Sequence, residues 1–238
     1  MQTLNKHKAI VLFSGGQDSS IALTYALNKF ESVETIGFDY GQRHVVELGA
    51  RSAVRREVVR LDSTWSDKLG ADAMIDLAGL GRISETAMTR ESEIYIGENG
   101  LPTTFVPGRN LMFLTMAGAM AYRRNAGVLI AGMCEADFSG YPDCREQALA
   151  TQMTALRLGM DADLTLETPL MTIDKAESWR LAEKIGGKKL VDVINEHSHT
   201  CYRGVRAERH DWGYGCADCP ACELRQKGWL GYMEKGAS

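Results

Sequence analysis

The sequence predicts an α/β fold: a doubly wound, mostly parallel sheet with a cysteine-rich C-terminal tail. Three observations predict it. Short apolar runs alternate with helix-compatible stretches along most of the chain. The first run breaks into a Ser-Gly-Gly turn that opens a helix. Four of the six cysteines crowd together after position 200.

Taken in order, residues 8–13 form an almost wholly apolar run, as a strand buried on both faces requires, and Ile21, Leu23, Tyr25, Ala26 and Leu27 behind it suit a helix. A second strand is expected at 33–38, ending at Asp39-Tyr40-Gly41-Gln42. A helix follows over 44–55, and a third strand over 57–61. Between 62 and 104, Gly, Ser, Thr and charged residues mix, which predicts short helices and loops over one end of the sheet. The strongest helix is 110–125, with Asn110 as its N-cap, arginines in its last turn and Met and Leu for core packing. A buried strand at 128–132 leads into a polar loop, 135–145. Helix 146–158, strand 164–167 and helix 174–185 complete a body spanning 1–195, and 196–238 is the tail. Strands alternating with helices imply right-handed crossovers.

A net charge of −4 argues against coating nucleic acid, which takes clustered Lys and Arg. No run reaches the 18 or so apolar residues a membrane span needs, and the first residues lack a secretory core. The expectation is a cytoplasmic protein with neither nucleic acid nor membrane as partner.

The turn after the first strand carries the clearest chemistry. Consecutive glycines let backbone N–H groups approach an anion, Ser14, Ser19 and Ser20 add hydroxyls, and the helix contributes its unpaired N–H groups and positive dipole end. Leu12, Phe13, Ser14, Gly15, Gly16, Gln17, Asp18, Ser19, Ser20, Ile21 and Ala22 are therefore candidate nucleotide-binding residues. A Walker A ending is absent. Asp18 is unexpected beside phosphates: it either caps the helix or holds a Mg²⁺ that bridges to them. The turn resembles the Ser-Gly-Gly-x-Asp-Ser loop of the PP-loop ATP pyrophosphatases, and the resemblance implies cleavage of ATP between its α and β phosphates with transfer of AMP.

In the tail, Cys216-Ala-Asp-Cys219-Pro-Ala-Cys222 gives two overlapping Cys-x-x-Cys spacings and Cys201 adds a fourth thiolate, enough to close a tetrahedral Zn²⁺ site. Four thiolates leave no open position, so the ion is structural. Redox thiols and an iron–sulfur cluster are the alternatives. His197, His199 and His210 are close enough in sequence to replace one Cys but read as solvated groups or as neighbours of the ligands, and 203–214 must bulge outward for Cys201 to reach the metal.

Together with Asp39-Tyr40-Gly41-Gln42-Arg43-His44, Val106-Pro107-Gly108-Arg109-Asn110, Ser139-Gly140-Tyr141-Pro142-Asp143-Cys144-Arg145 and Thr168-Pro169-Leu170-Met171, these features resemble the 7-cyano-7-deazaguanine synthases. That family forms a nitrile in the queuosine pathway. The resemblance covers roughly residues 10–230. It implies an adenine nucleotide alpha hydrolase-like fold and a zinc-containing homodimeric ligase that takes 7-carboxy-7-deazaguanine, ammonia and ATP. Whether AMP or ADP leaves is left open.

Within that frame Asp18 and Arg109 are the catalytic candidates, Arg109 as a bidentate phosphate clamp. Asp137, Asp143 and Arg145 are the substrate-binding candidates, a carboxylate being suited to the N–H and NH₂ edge of a deazaguanine. Asp143 reads equally as a cap for the helix that follows it. Cys144 reads as a structural thiol rather than a nucleophile, since no paired His is apparent. With no length left for a glutaminase domain, free ammonia is the expected nitrogen donor. Two rival readings are a tRNA-thiolating enzyme whose cysteines hold an iron–sulfur cluster, and a nucleotide sensor whose zinc module binds nucleic acid or a partner.

Overall fold

Alternation along the first strand sets the architecture. In β1 (Asn5–Leu12), Ala9 and Val11 belong to one apolar cluster, while Ile10 and Leu12 belong to another on the opposite face. A strand buried on both sides needs helices on both sides. The computed structural model describes residues 1–42, 46–135 and 140–235. After β1 come α1 (Gln17–Lys29), β2 (Ser32–Asp39), α2 (Val46–Leu61), α3 (Ser63–Lys68), β3 (Leu69–Asp76), α4 (Ala78–Ile83), α5 (Arg109–Arg123) and β4 (Ala126–Ala131). A 3₁₀ turn (Pro142–Cys144), α6 (Glu146–Met160), β5 (Thr165–Glu167), α7 (Lys175–His197), β6 (Arg209–His210), β7 (Gly213–Tyr214) and α8 (Pro220–Lys235) follow.

The five main strands pair in parallel in the order β3-β2-β1-β4-β5. Residues of α1, α2, α3, α7 and α8 fill one cluster; α5 and α6 fill the other. The strand order reverses between β1 and β4, so the loops leaving their carboxyl ends form a crevice of the kind where open α/β sheets bind ligands. Gly132, just past β4, permits it: a Cβ there would lie 2.7 Å from the backbone carbon of Asp18.

Three expectations require correction. Residues 57–61 are the end of α2, not a strand. Val54 and Val58, four apart, both face the core beside Trp65, and this helical spacing prevails over the β preference of two valines. The third strand is instead β3, an edge strand whose exposed Gly-Ala-Asp run lacks a buried strand's pattern. Finally, Asn110 does not cap α5: the N-cap is Gly108, at φ 73°, and α5 begins at Arg109. The helix expected over 174–185 ends where Gly186 and Gly187 leave helical geometry, and a further helical stretch carries α7 to His197.

Between α7 and α8 the chain makes a small antiparallel hairpin, β6 and β7, which is the expected bulge. Cys201, Trp212, Cys219, Ala221 and Cys222 form a cluster of their own under it. Trp229 touches both this cluster and that of the sheet, and stacks edge-on against Trp179 of α7 at 5.2 Å.

Candidate active site and metal centre

The loop after β1 is held by its own serines. Gly15, at φ 91°, donates its N–H to Ser19 Oγ at 3.1 Å, and Gly16 donates to Ser14 Oγ at 3.2 Å. Ser20 Oγ donates to the Gly16 carbonyl at 2.7 Å. The first backbone bond of α1 is Ser20 N–H to the Gly16 carbonyl, so the amides of Gln17, Asp18 and Ser19 have no acceptor within the helix. These amides, at the positive end of the helix dipole, are the donors an anion would meet.

Asp18 makes no cap to α1. Its carboxylate takes a two-pronged ion pair from Lys175 Nζ, at 2.8 and 2.9 Å, and Gln17 Nε2 donates to Ser178 Oγ at 3.1 Å. The N-termini of α1 and α7 are thereby tied together. Lys175 was not singled out from the sequence. A lysine in the first turn of a helix opposes the dipole, and that misplaced cation was the available signal. Gly228 on α8 makes room for it, since a Cβ there would come within 2.6 Å of Lys175 Cβ.

A cavity of about 310 Å³ opens beside the loop. Ser14, Gly16, Gln17, Asp18 and Ser19 line it, as do Leu12 and Phe13 at the strand's end. Ile21 and Ala22 are fully buried in the sheet's core, and Gly15 and Ser20 stand behind the lining. The tail forms another wall. His199 N–H donates to the Gly15 carbonyl at 3.1 Å, and Thr200, Tyr202 and Arg225 line the same space.

Arg225 is 1% exposed and donates to Trp212 O, Ser198 Oγ, Thr200 Oγ1 and the carbonyls of Ile194 and Asn195, all neutral acceptors; burial lowers its pKa to about 10. His199, expected to be solvated or beside the metal, is 2% exposed and faces the cavity, and neither ring nitrogen has a partner among the described residues. Burial drives its pKa down to about 4, which keeps it neutral.

Part of the cavity's lining is aromatic. Phe38 and Phe113 stack at 4.1 Å, and the Arg109 guanidinium lies 5.5 Å from the Tyr40 and Tyr141 rings and 5.9 Å from Phe113. Arg109, assigned from the sequence to the phosphates, thus sits among rings. Tyr141 Oη lies 2.6 Å from Thr104 Oγ1 and donates to Tyr202 Oη at 3.3 Å. Asp143 is buried and accepts from Asn110, the backbone N–H on Oδ2 and Nδ2 on Oδ1, both at 3.0 Å. It serves the first turn of α5 and makes no cap to α6. Arg145 is exposed at the start of α6, outside the cavity lining, and Asp137 lies outside the described residues.

Cys144 lines the cavity. Burial and the neighbouring Asp143 push its pKa up to about 12, so it is a thiol at neutral pH and no ready nucleophile.

The four sulfurs of Cys201, Cys216, Cys219 and Cys222 lie within 4.8 Å of one another, and the Cys216–Cys222 pair is 4.0 Å apart. A zinc ion bound at about 2.3 Å by four thiolates needs sulfurs roughly 3.8 Å apart, so the set fits zinc and fills its coordination. Gly215 is required beside it, because a Cβ there would lie 2.5 Å from Cys222 Sγ. His210 is no ligand: its ring stacks on Trp212 at 4.5 Å and its Nε2 lies 3.0 Å from the Gly215 carbonyl.

Comparison with known proteins follows the same lines. The family model described as queuosine biosynthesis protein QueC matches residues 8–233. A 7-cyano-7-deazaguanine synthase of Parvibaculum lavamentivorans is 60% identical over 233 residues, 98% of each chain. One of Paraburkholderia phymatum is 60% identical over 228 residues, 96% of this chain and 94% of the other. Among solved structures, a 4-thiouridine synthetase in complex with RNA and bound ATP superposes with a TM-score of 0.51 at 16% identity, covering 97% of this chain and about half (51%) of that one. That likeness speaks for the fold alone. On the match across residues 8–233 and the near end-to-end identity with these relatives, the chain belongs to the QueC family of queuosine biosynthesis proteins.

Proposed function

We propose that the chain is an ATP-dependent carbon–nitrogen ligase that makes 7-cyano-7-deazaguanine from 7-carboxy-7-deazaguanine and ammonia. The observation that carries this reading is one cavity joining a phosphate-type loop, with Lys175 on Asp18, to an aromatic chamber that contains a guanidinium. A carboxylate is a poor electrophile. Its oxygen attacks the α-phosphate of ATP, releasing pyrophosphate, and ammonia then displaces AMP to give the amide. The amide oxygen attacks a second α-phosphate, and loss of AMP with the remaining N–H protons leaves the nitrile.

The first-turn amides of α1 and Lys175 would bind the departing pyrophosphate, where donors aimed at developing charge count most. Asp18 would exchange Lys175 for Mg²⁺, whose charge would offset that of the phosphates. The four cysteines would hold zinc and so keep the tail, 196–238, closed against the body, 1–195. Met112 and Met116, one turn apart on α5, and Met74 on the edge strand are exposed apolar groups suited to a homodimer contact, which light scattering would test. No helix among the described residues is long and apolar enough to cross a membrane. We take the cytoplasm as the site of action and small molecules, not nucleic acid, as partners.

The test is pyrophosphate release measured with 7-carboxy-7-deazaguanine and ammonia, with a tRNA transcript, and with no acceptor. Release with the deazaguanine alone is the expected result. Release that requires tRNA would sink the assignment.

A further inference from the structure

Arg109 occupies a position that phosphate binding does not explain. The loop half of the cavity already has its own donors: the first-turn amides of α1, and Lys175 on Asp18. Arg109, the first residue of α5, stands instead among the rings of Tyr40, Tyr141 and Phe113. Among the described residues its hydrogen bond is a long one, 3.4 Å from Nη1 to Tyr40 Oη, and its buried Nε has no acceptor there. A buried charged donor left without a partner is costly, and such groups persist where a ligand supplies the acceptor.

The edge of a guanidinium that carries Nε–H and an Nη–H matches the two oxygens of a carboxylate. The surrounding rings suit an acid conjugated to a flat heterocycle better than they suit a tetrahedral phosphate. Arg109 and Cys144 line the same cavity as Asp18, Ser14, Gly16 and Ser19, so an acid held by Arg109 shares that space with the loop after β1.

We propose that Arg109 binds the carboxylate of the substrate, and that it thereby selects the acid for the first activation while contributing little to the second. This rests on the ligase reading given above. Once ammonia has replaced one oxygen, the amide presents an NH₂ donor to a group that can only donate, and the two-pronged contact is lost. The guanidinium therefore favours acid over amide, and the amide intermediate is held mainly by the rings.

The experiment compares wild type, Arg109→Gln and Arg109→Lys with the 7-carboxy and the 7-amido deazaguanine supplied separately, each with ATP; ammonia accompanies the acid. Loss of a charge-assisted two-pronged contact is expected to raise KM for the acid roughly 10- to 100-fold in Arg109→Gln, with partial recovery in Arg109→Lys. KM for the amide is expected to move less than about threefold, with KM for ATP unchanged. Equal losses on acid and amide with a raised KM for ATP would put Arg109 on the phosphates. Equal losses with a normal KM for ATP would make it a structural member of the ring cage. Either outcome overturns the proposal. A wild-type protein that turns over neither compound would refute the ligase reading itself, a result distinct from both.

Discussion

The sheet-bearing body and the cysteine tail reach order by different means. The body buries two apolar clusters against a five-stranded parallel sheet, enough to hold itself together. The tail's small cluster consists largely of its own thiols, Cys201, Cys219 and Cys222, with Trp212 and Ala221. A cluster with so little apolar area of its own needs a staple, although α8 of the same tail also lends Tyr232 to the body's core. Yet the tail carries Thr200, Tyr202 and Arg225 into the cavity, and its His199 amide binds the Gly15 carbonyl. The part with the smallest apolar cluster therefore completes the site, and under the proposed function catalysis would depend on a zinc ion that takes no part in the chemistry.

The largest expected effect breaks that arrangement at the metal. Structural zinc contributes about 10–16 kcal/mol to small domains that fold around it. Removing it with a chelator, or replacing Cys219 by Ser, is expected to expose the 199–222 segment to protease while the sheet stays folded, and to weaken ATP binding more than about tenfold. Limited proteolysis read with a nucleotide titration checks both. A tail that melts with ATP affinity intact would separate the two regions.

Next comes Asp18→Asn, which acts within the body. It removes the partner of Lys175 and the proposed Mg²⁺ ligand, so kcat is expected to fall on the order of 10²- to 10³-fold with zinc content unchanged, measured by steady-state kinetics and metal analysis. A smaller effect is expected of Gly132→Ala. The added Cβ would press on the backbone of Asp18, a strain of about 1–3 kcal/mol, read as a lower melting temperature and a raised KM for ATP. The smallest belongs to Cys144→Ala. A thiol whose pKa burial has pushed to about 12 is no nucleophile, so turnover should stay within about threefold of wild type. A complete loss would reinstate a covalent role.

Legibility in the sequence follows the same division. In the body, β1, β2 and β4 were readable because buried parallel strands are continuous apolar runs, and the turn between β1 and α1 because its glycines sit between strand and helix. The edge strand β3 was not, since an exposed strand need not be apolar, and the valines at 58 and 59 suggested a strand in the wrong place. In the tail the gathering of Cys201, Cys216, Cys219 and Cys222 was readable from spacing alone, but what the tail touches was not. Lys175, His199, Tyr202 and Arg225 reach the cavity through tertiary packing of α7 and α8, which no local pattern encodes. Arg109 stood out in the sequence as a candidate cation, but the rings around it did not, because Tyr40 and Tyr141 come from distant loops.

In the proposed reaction the loop grips pyrophosphate while substrate oxygen attacks the α-phosphate. The direct test is to supply 7-carboxy-7-deazaguanine labelled with ¹⁸O in both carboxylate positions and to analyse the products by mass spectrometry. Two AMP per nitrile, each carrying one ¹⁸O, with unlabelled pyrophosphate, is the expected result. Label in inorganic phosphate, with ADP as the other product, would contradict it.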